Sequence, residues 1–360
     1  MTENGPAKDR QKDRKPKIDP RLEKFIHDMP KAELHLHMEG SIPAETLLGF
    51  IKRKGTEPDI QTVEDLNARL KYRDFPHFIE IWTWKNTFIQ DEKDFKVIAH
   101  DVLTGLSRQN VKYVESFFAP GDYHWLGLSV PRIIKYVIQG KEKAEADTGI
   151  RCNLIIDFIR DHGPEVGMQR LEEATPYLDK GVIGVGIGGS EQLFPPEPYE
   201  ALYREARERG FRLTAHAGEV AGPESMWGAI KTLGVERIGH GVRANEDPEL
   251  IDYLAEQQLP LEMCPISNVK TGVCASIREH PIREYFDRGL MVTVNADDPA
   301  MFNSSLTEDY LALATDLDFD MDEIRRLATN GIDASFLSNA EKADIYSAFR
   351  KEWADWDTRH

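Results

Sequence analysis

The 360-residue sequence is poor in cysteine, in net positive charge and in long apolar runs. Its three cysteines, Cys152, Cys264 and Cys274, are an odd number with no Cys-x-x-Cys pair, which fits neither a disulfide framework nor a thiolate zinc site. A reducing compartment, the cytoplasm, is the expected location. Lys and Arg number 45 against 62 Asp and Glu, a formal net charge of −17. Nucleic-acid binding is driven by clustered cations that displace counterions from phosphates, so no nucleic-acid partner is expected and a small molecule is. No apolar run approaches the roughly 18–20 residues that cross a bilayer, and the opening residues lack the apolar stretch of a secretory signal. No membrane partner is expected either.

What is present is ordinary for a soluble globular protein, with 41% apolar and 30% charged residues. Residues 1–20 alternate Lys, Arg and Asp around three prolines and bury too little apolar surface to offset ordering entropy, which predicts a disordered N-terminal arm. Residues 21–360 show no linker between two cores and are expected to form a single domain.

From residue 31 onward, short apolar runs alternate with longer segments of helical spacing, the pattern of a parallel sheet built from strand-helix units. Eight runs recur: 31–37, 111–118, 152–158, 181–187, 211–216, 237–240, 259–264 and 289–295. Eight parallel strands with intervening helices predict a (β/α)8 barrel. About 70 residues separate the first two strands, so the barrel should carry an insertion there. Within it, Phe75, Phe78, Ile79 and Trp82 share one helical face. Core packing is the plainer account of that face, and a lid over the barrel mouth is the functional one. The segment 306–356 is expected to be helical and to complete the outer layer.

In the first strand, Glu33, His35 and His37 share one face and the leucines the other. His216, His240 and Asp297 fall at the carboxyl ends of the fifth, sixth and eighth strands. Barrels of this kind gather their chemistry at that end. Three imidazoles and a carboxylate suit zinc, which lowers the pKa of a bound water to about 7, and iron, cobalt or manganese also accept such ligands.

The segments Glu33-Leu-His-Leu-His-Met-Glu-Gly-Ser, Thr214-Ala-His-Ala-Gly-Glu-Val, Arg237-Ile-Gly-His-Gly-Val, Cys264-Pro-Ile-Ser-Asn and Asn295-Ala-Asp-Asp-Pro resemble the adenosine deaminase family of the amidohydrolase superfamily, over about residues 29–356. The resemblance implies one zinc ion held by His35, His37, His216 and Asp297. It implies Glu219 as the acid that protonates N1 of an aminopurine, His240 as the residue that orients and helps deprotonate the attacking water, and Asp298 as the partner of N7. Gly189 would contact N3 through its backbone. His37, Glu39 and the lid residues Phe75, Phe78, Ile79 and Trp82 complete the implied substrate contacts. The implied reaction is hydrolytic deamination at C6.

Glu39 departs from the family pattern, since adenosine deaminases carry Asp where the 5′-hydroxyl of the ribose is met. Glutamate there resembles members that act on free adenine or on 5′-altered adenosines such as aminodeoxyfutalosine. Ser267 to Gly272, Asp298 to Phe302 and Leu306 to Tyr310 look more like the nucleoside branch. The sequence expectation is therefore adenosine or a 5′-modified adenosine, with adenine or aminodeoxyfutalosine as the alternative. Remoter options are a different amidohydrolase, opposed by the missing lysine at the end of the fourth strand, and a silent purine-binding barrel, opposed by the complete ligand and acid set. The cytidine-type zinc deaminase signature is absent.

Overall fold

Strand β1 (Lys31–His37) is buried along almost its whole length, as expected of a strand covered on both faces in a parallel sheet. The computed structural model describes residues 18–73 and 75–360, so most of the expected N-terminal arm lies outside the described residues. Its last residues lead into the helix Pro20–Asp28, where Asp19 caps the N-terminus by accepting from the Arg21 amide at 2.8 Å.

β1 is followed by β2 (Val111–Phe118), β3 (Arg151–Ile159), β4 (Val182–Gly188), β5 (Arg212–Ala217), β6 (Arg237–His240), β7 (Leu261–Met263) and β8 (Val292–Val294). Each strand pairs in parallel with the next, in chain order, and helices cross over between them. This is the expected eight-stranded α/β barrel.

The seam between β8 and β1 has no regular ladder, only the bridge Leu36–Asp297. Side chains close it instead. Glu33 accepts from the amides of His35 (3.2 Å) and Ala296 (3.1 Å), and Asn295 Oδ1 accepts from the Leu34 amide at 3.0 Å. The His37 amide donates to the Asp297 carbonyl at 2.9 Å, and the Asp297 amide to the His35 carbonyl at 3.0 Å. The two strand ends that carry three of the expected ligands are thereby locked together.

The insertion after β1 forms a 3₁₀ turn, Glu39–Ser41, and the helices Ala44–Lys54, Val63–Arg69, Phe75–Asn86 and Asp94–Arg108. The C-terminal segment forms the helices Leu306–Asp316, Met321–Asp333 and Asn339–Arg359. Ala32 and Leu34 of β1 pack against Ala328, Ile332 and Phe349 of the last two, so this segment covers the barrel as expected. No described helix is long and apolar enough to cross a membrane.

Candidate active site

The period-two alternation of β1 turns His35 and His37 inward together, and the parallel barrel brings the ends of β5 and β8 to the same mouth. His35, His37, His216 and Asp297 each offer a ligand atom within 4.8 Å of all the others. His37 Nε2 lies 3.1 Å from His216 Nε2 and 3.3 Å from Asp297 Oδ1, and His35 Nε2 lies 3.6 Å from that same oxygen.

The proton positions on these rings follow from their other nitrogens. His35 Nδ1–H donates to Glu262 at 2.7 Å and His216 Nδ1–H to the Ile187 carbonyl at 3.1 Å, which leaves both Nε2 lone pairs aimed into the cluster. His35 Nε2 is buried and has no hydrogen-bond partner. An orphaned buried nitrogen facing two imidazoles and a carboxylate fits a divalent cation. Burial and neighbouring rings push the pKa of His35 and His216 well down, and burial lowers that of His37, so all three favour the neutral form that ligates a metal. Burial alone would raise Asp297, but the surrounding imidazoles and the Ser267 hydroxyl, donating at 2.6 Å, hold it below the ordinary carboxylate range. Asp297 adopts φ 63° and His240 φ 62°, left-handed conformations that non-glycine residues enter at a cost of roughly 1–3 kcal/mol and that concentrate at functional sites.

Beneath the cluster runs an ion network to which the motifs assign no role. Glu262 in β7 holds His35 and also takes Arg237 Nε–H at 2.5 Å, and Arg237 donates from its other side to Glu115 in β2 at 2.5 Å. All three side chains are buried. An acidic residue at a fully buried position of a strand, as in Val-Lys-Tyr-Val-Glu115-Ser-Phe-Phe, is the sequence signal that points to them.

The expected proton-handling residues surround the same point. Glu219 lies on the turn after β5, and burial, helped by Asp297 and Glu191 and opposed by His240, pushes its pKa up to about 7. Its Oε2 is 3.7 Å from His240 Nε2. The hydrogen-bond chain assigns the His240 tautomer. His280 Nδ1 accepts from the Ile282 amide at 3.3 Å, so its Nε2–H donates to Asn268 Oδ1 at 3.1 Å, and Asn268 Nδ2–H donates to His240 Nδ1 at 3.2 Å. The His240 proton is thereby on Nε2, facing Glu219. Asn268 and His280 are a second set of residues that the motifs alone do not assign.

Asp298 is buried, and burial together with Asp297 drives its pKa well up, which favours the protonated form. Its Oδ1 has no partner and lies over the bare Cα of Gly40, where an added Cβ would stand 1.7 Å away. Only glycine at 40 leaves room for that carboxyl. Beside it, Glu39 is buried, accepts from the Ala119 amide at 3.0 Å and is pushed up to about 7 by burial. Lys85 reaches in from the helix Phe75–Asn86 and donates to the Glu39 carbonyl. Gly189 follows β4 with φ 95°, and Asp161 and the Arg160 amide fill the space where a Cβ would stand.

That same helix places the expected lid residues unequally. Phe78 is buried and stacks on Phe302, four residues after Asp298, with ring centroids 5.6 Å apart. Trp82 packs 6.1 Å from Phe78 and lies 4.0 Å beneath the Lys85 ammonium. Ile79 is 45% exposed and stays outside this contact, and the Phe75 side chain lies outside the described atoms. Tyr72 Oη–H reaches the Lys270 carbonyl at 3.4 Å from the loop before the helix.

Comparison with known proteins gives consistent findings. A family model described as adenosine deaminase matches residues 30–352. The adenine deaminase of Wolinella succinogenes is 36% identical over 325 residues, covering 90% of this chain and 98% of that protein. Among solved structures, the adenine deaminase from Arthrobacter aurescens superposes with a TM-score of 0.85 at 31% identity, over 92% of this chain and 99% of that one. An amidohydrolase from Burkholderia ambifaria with bound Zn superposes with a TM-score of 0.87 at 25% identity, over 97% and 96% of the two chains.

Proposed function

The chain belongs to the adenosine deaminase family and is a metal-dependent aminohydrolase, and on that footing we propose that it hydrolyses free adenine to hypoxanthine and ammonia. The sequence expectation of a nucleoside substrate gives way here to its alternative. Relatives similar over nearly the whole chain are adenine deaminases. The segments that pointed to the nucleoside branch have other work: Ser267 holds Asp297, Asn268 holds His240, and Asp309 accepts from the Ile266 amide at 2.8 Å. Ser267 and Asn268 thus support the candidate metal and proton-handling residues, and Asp309 fixes the backbone just before them.

The observation that carries the proposal is the placement of the Asp298 carboxyl over Gly40, next in the chain to the buried Glu39. Free adenine presents an acceptor at N7 and an N–H donor at N9 on one edge of its five-membered ring, and a nucleoside has carbon bonded at N9. Asp298, protonated, donates to N7. Glu39, with one oxygen satisfied by Ala119, offers its carboxylate to N9–H. A buried acceptor left without its donor costs about 1–3 kcal/mol, and sites built around a substrate N–H reject analogues that lack it by large factors.

His35, His37, His216 and Asp297 hold the cation, for which zinc is the choice that suits three imidazoles and one carboxylate. When bound, zinc supplies a water activated for attack at C6, its pKa lowered to about 7. Glu219, half-buried and with its pKa raised to about 7, delivers a proton to N1 from its protonated form as electron density moves there. His240, with its proton on Nε2, orients the attacking oxygen as a hydrogen-bond donor. Gly189 meets N3 through its backbone, and the Phe78–Trp82 pair excludes water above the ring.

The test is ammonia release by zinc-loaded protein from adenine, adenosine, 2′-deoxyadenosine, 5′-methylthioadenosine, S-adenosylhomocysteine and aminodeoxyfutalosine. Adenine should have the highest kcat/KM, by about three orders of magnitude or more. A nucleoside that outperforms adenine would overturn the free-base assignment.

A further inference from the structure

Glu191 lies in the loop after β4, outside the candidate ligand set, and both of its carboxylate oxygens are engaged in hydrogen bonds. It is 5% exposed and accepts from four successive backbone amides of the turn after β5. Oε1 takes Gly218 N–H at 2.6 Å, and Oε2 takes Glu219, Val220 and Ala221 N–H at 3.2, 2.8 and 3.0 Å. Consecutive amides converge in this way only around a turn that includes a left-handed residue, here Gly218 at φ 70°. Glycine is required there, because Met226 Sδ stands 2.4 Å from where a Cβ would be. On the outer side, Arg243 donates to the Val220 carbonyl at 2.6 Å, and its own amide donates to the Gly218 carbonyl at 2.9 Å.

The turn so gripped is the one that carries Glu219. A carboxylate has two oxygens with about four acceptor positions, and all the amide donors of the turn fall on them. Charge-assisted bonds of this kind are roughly twice as strong as neutral ones. We infer that Glu191 is a positioning residue for the reaction: by holding the four amides from 218 to 221, it fixes the backbone from which Glu219 presents its proton. The inference rests on the assignment of Glu219 as the N1 acid.

Glutamine at 191 keeps the shape but offers one acceptor oxygen and turns an NH2 group against amide donors, so the turn loosens by a fraction of an ångström or more. Four zinc-loaded variants test this: Glu191→Gln, Glu191→Asp, Glu219→Gln and the double variant Glu191→Gln/Glu219→Gln. Misplacement on the 1 Å scale costs about 100-fold in rate. Glu191→Gln should therefore lose about 100-fold in kcat with KM within about threefold of the parent and zinc content unchanged. Glu191→Asp, which keeps the charge, should recover part of that loss. Because Glu191 acts through Glu219, the double variant should be no slower than Glu219→Gln alone.

A parental kcat in Glu191→Gln would overturn the inference, as would losses that multiply in the double variant. If Glu191→Gln does not fold or loads no zinc, the aspartate variant decides. A folded, zinc-loaded Glu191→Asp with reduced kcat supports positioning, and one with parental kcat, or one that also fails to fold, makes Glu191 a scaffold residue. An active Glu219→Gln would instead remove the acid assignment on which the inference depends.

Discussion

If Glu219 is the N1 acid proposed above, it has to be a carboxylic acid at the working pH, and its surroundings favour that form. Burial raises its pKa from 4.5 to about 7, with Asp297 and Glu191 adding to the shift and His240 opposing it. Donation to N1 uses the protonated form, so the Glu219 contribution to kcat/KM for adenine should be level below about pH 7 and fall tenfold per unit above it, giving the profile its alkaline limb. The stability linkage has the same sign. A carboxyl whose folded pKa is raised stabilises the fold fully below pH 4.5 and loses that contribution as pH rises through about 7. Glu219→Gln should therefore lose about 10²–10⁴-fold in turnover and lose the alkaline limb, while being no less stable than the parent at pH 8. A pH–rate profile that rises through pH 7 on account of Glu219 would mean that the carboxylate is the working form. At this scale the convergence of His35, His37, His216 and Asp297, the candidate ligands, was legible in the sequence because each sits in a short motif at a strand end. The pairings of Glu191, Glu262, Arg237 and Glu115 were not, because the partners are distant in the chain: 27 residues separate Glu191 from Gly218, and 122 separate Arg237 from Glu115.

Among the elements, the strands do more than deliver ligands, since β7 and β6 also fix how β1 presents His35. Glu262 satisfies His35 on one oxygen and Arg237 on the other, with every side chain buried. Removing one partner of such a network leaves an uncompensated charge, a cost of about 3–5 kcal/mol, and loosening a ligand's supporting carboxylate weakens metal affinity about 10–100-fold. Glu262→Ala should show both, by chemical denaturation and by competition with a chelator. A variant that loses stability but keeps parental zinc affinity would separate the barrel floor from the metal site. The strand pattern itself was readable to the residue for β1, β2 and β6. It was too long for β7 and β8, expected over 259–264 and 289–295 and found at Leu261–Met263 and Val292–Val294. Pro260 has no N–H to give a ladder, Pro265 opens a helix directly after Cys264, and beyond β8 the chain leaves the ladder for the left-handed turn that aims Asp297 inward. Such departures are set by the site and not by hydrophobic periodicity, and so the periodicity does not report them.

For the molecule as a whole, the cation is expected to act as a closure of the barrel as well as a reagent. Its ligands come from β1, from β5 and from the segment after β8, and the seam between the first and last of these is held by one bridge and a few side-chain bonds. A ligand that binds the native state alone stabilises it by RT ln(1 + [L]/Kd), about 4 kcal/mol when free zinc is 1,000 times its Kd. Unfolding entropy near 2 cal/mol/K per residue converts that into a rise in Tm of about 5 °C for a chain of this length. Metal-free protein, prepared with a chelator and returned to a zinc buffer, should show that rise in calorimetry. Asp297→Asn should lose most of it, since the amide keeps the side chain's shape and its seam contacts but removes the only anionic ligand. Equal melting temperatures for the chelated and zinc-loaded parent would mean that these four residues do not hold zinc. A full rise retained in Asp297→Asn would mean that the ion is held by the imidazoles without the carboxylate that crosses the seam.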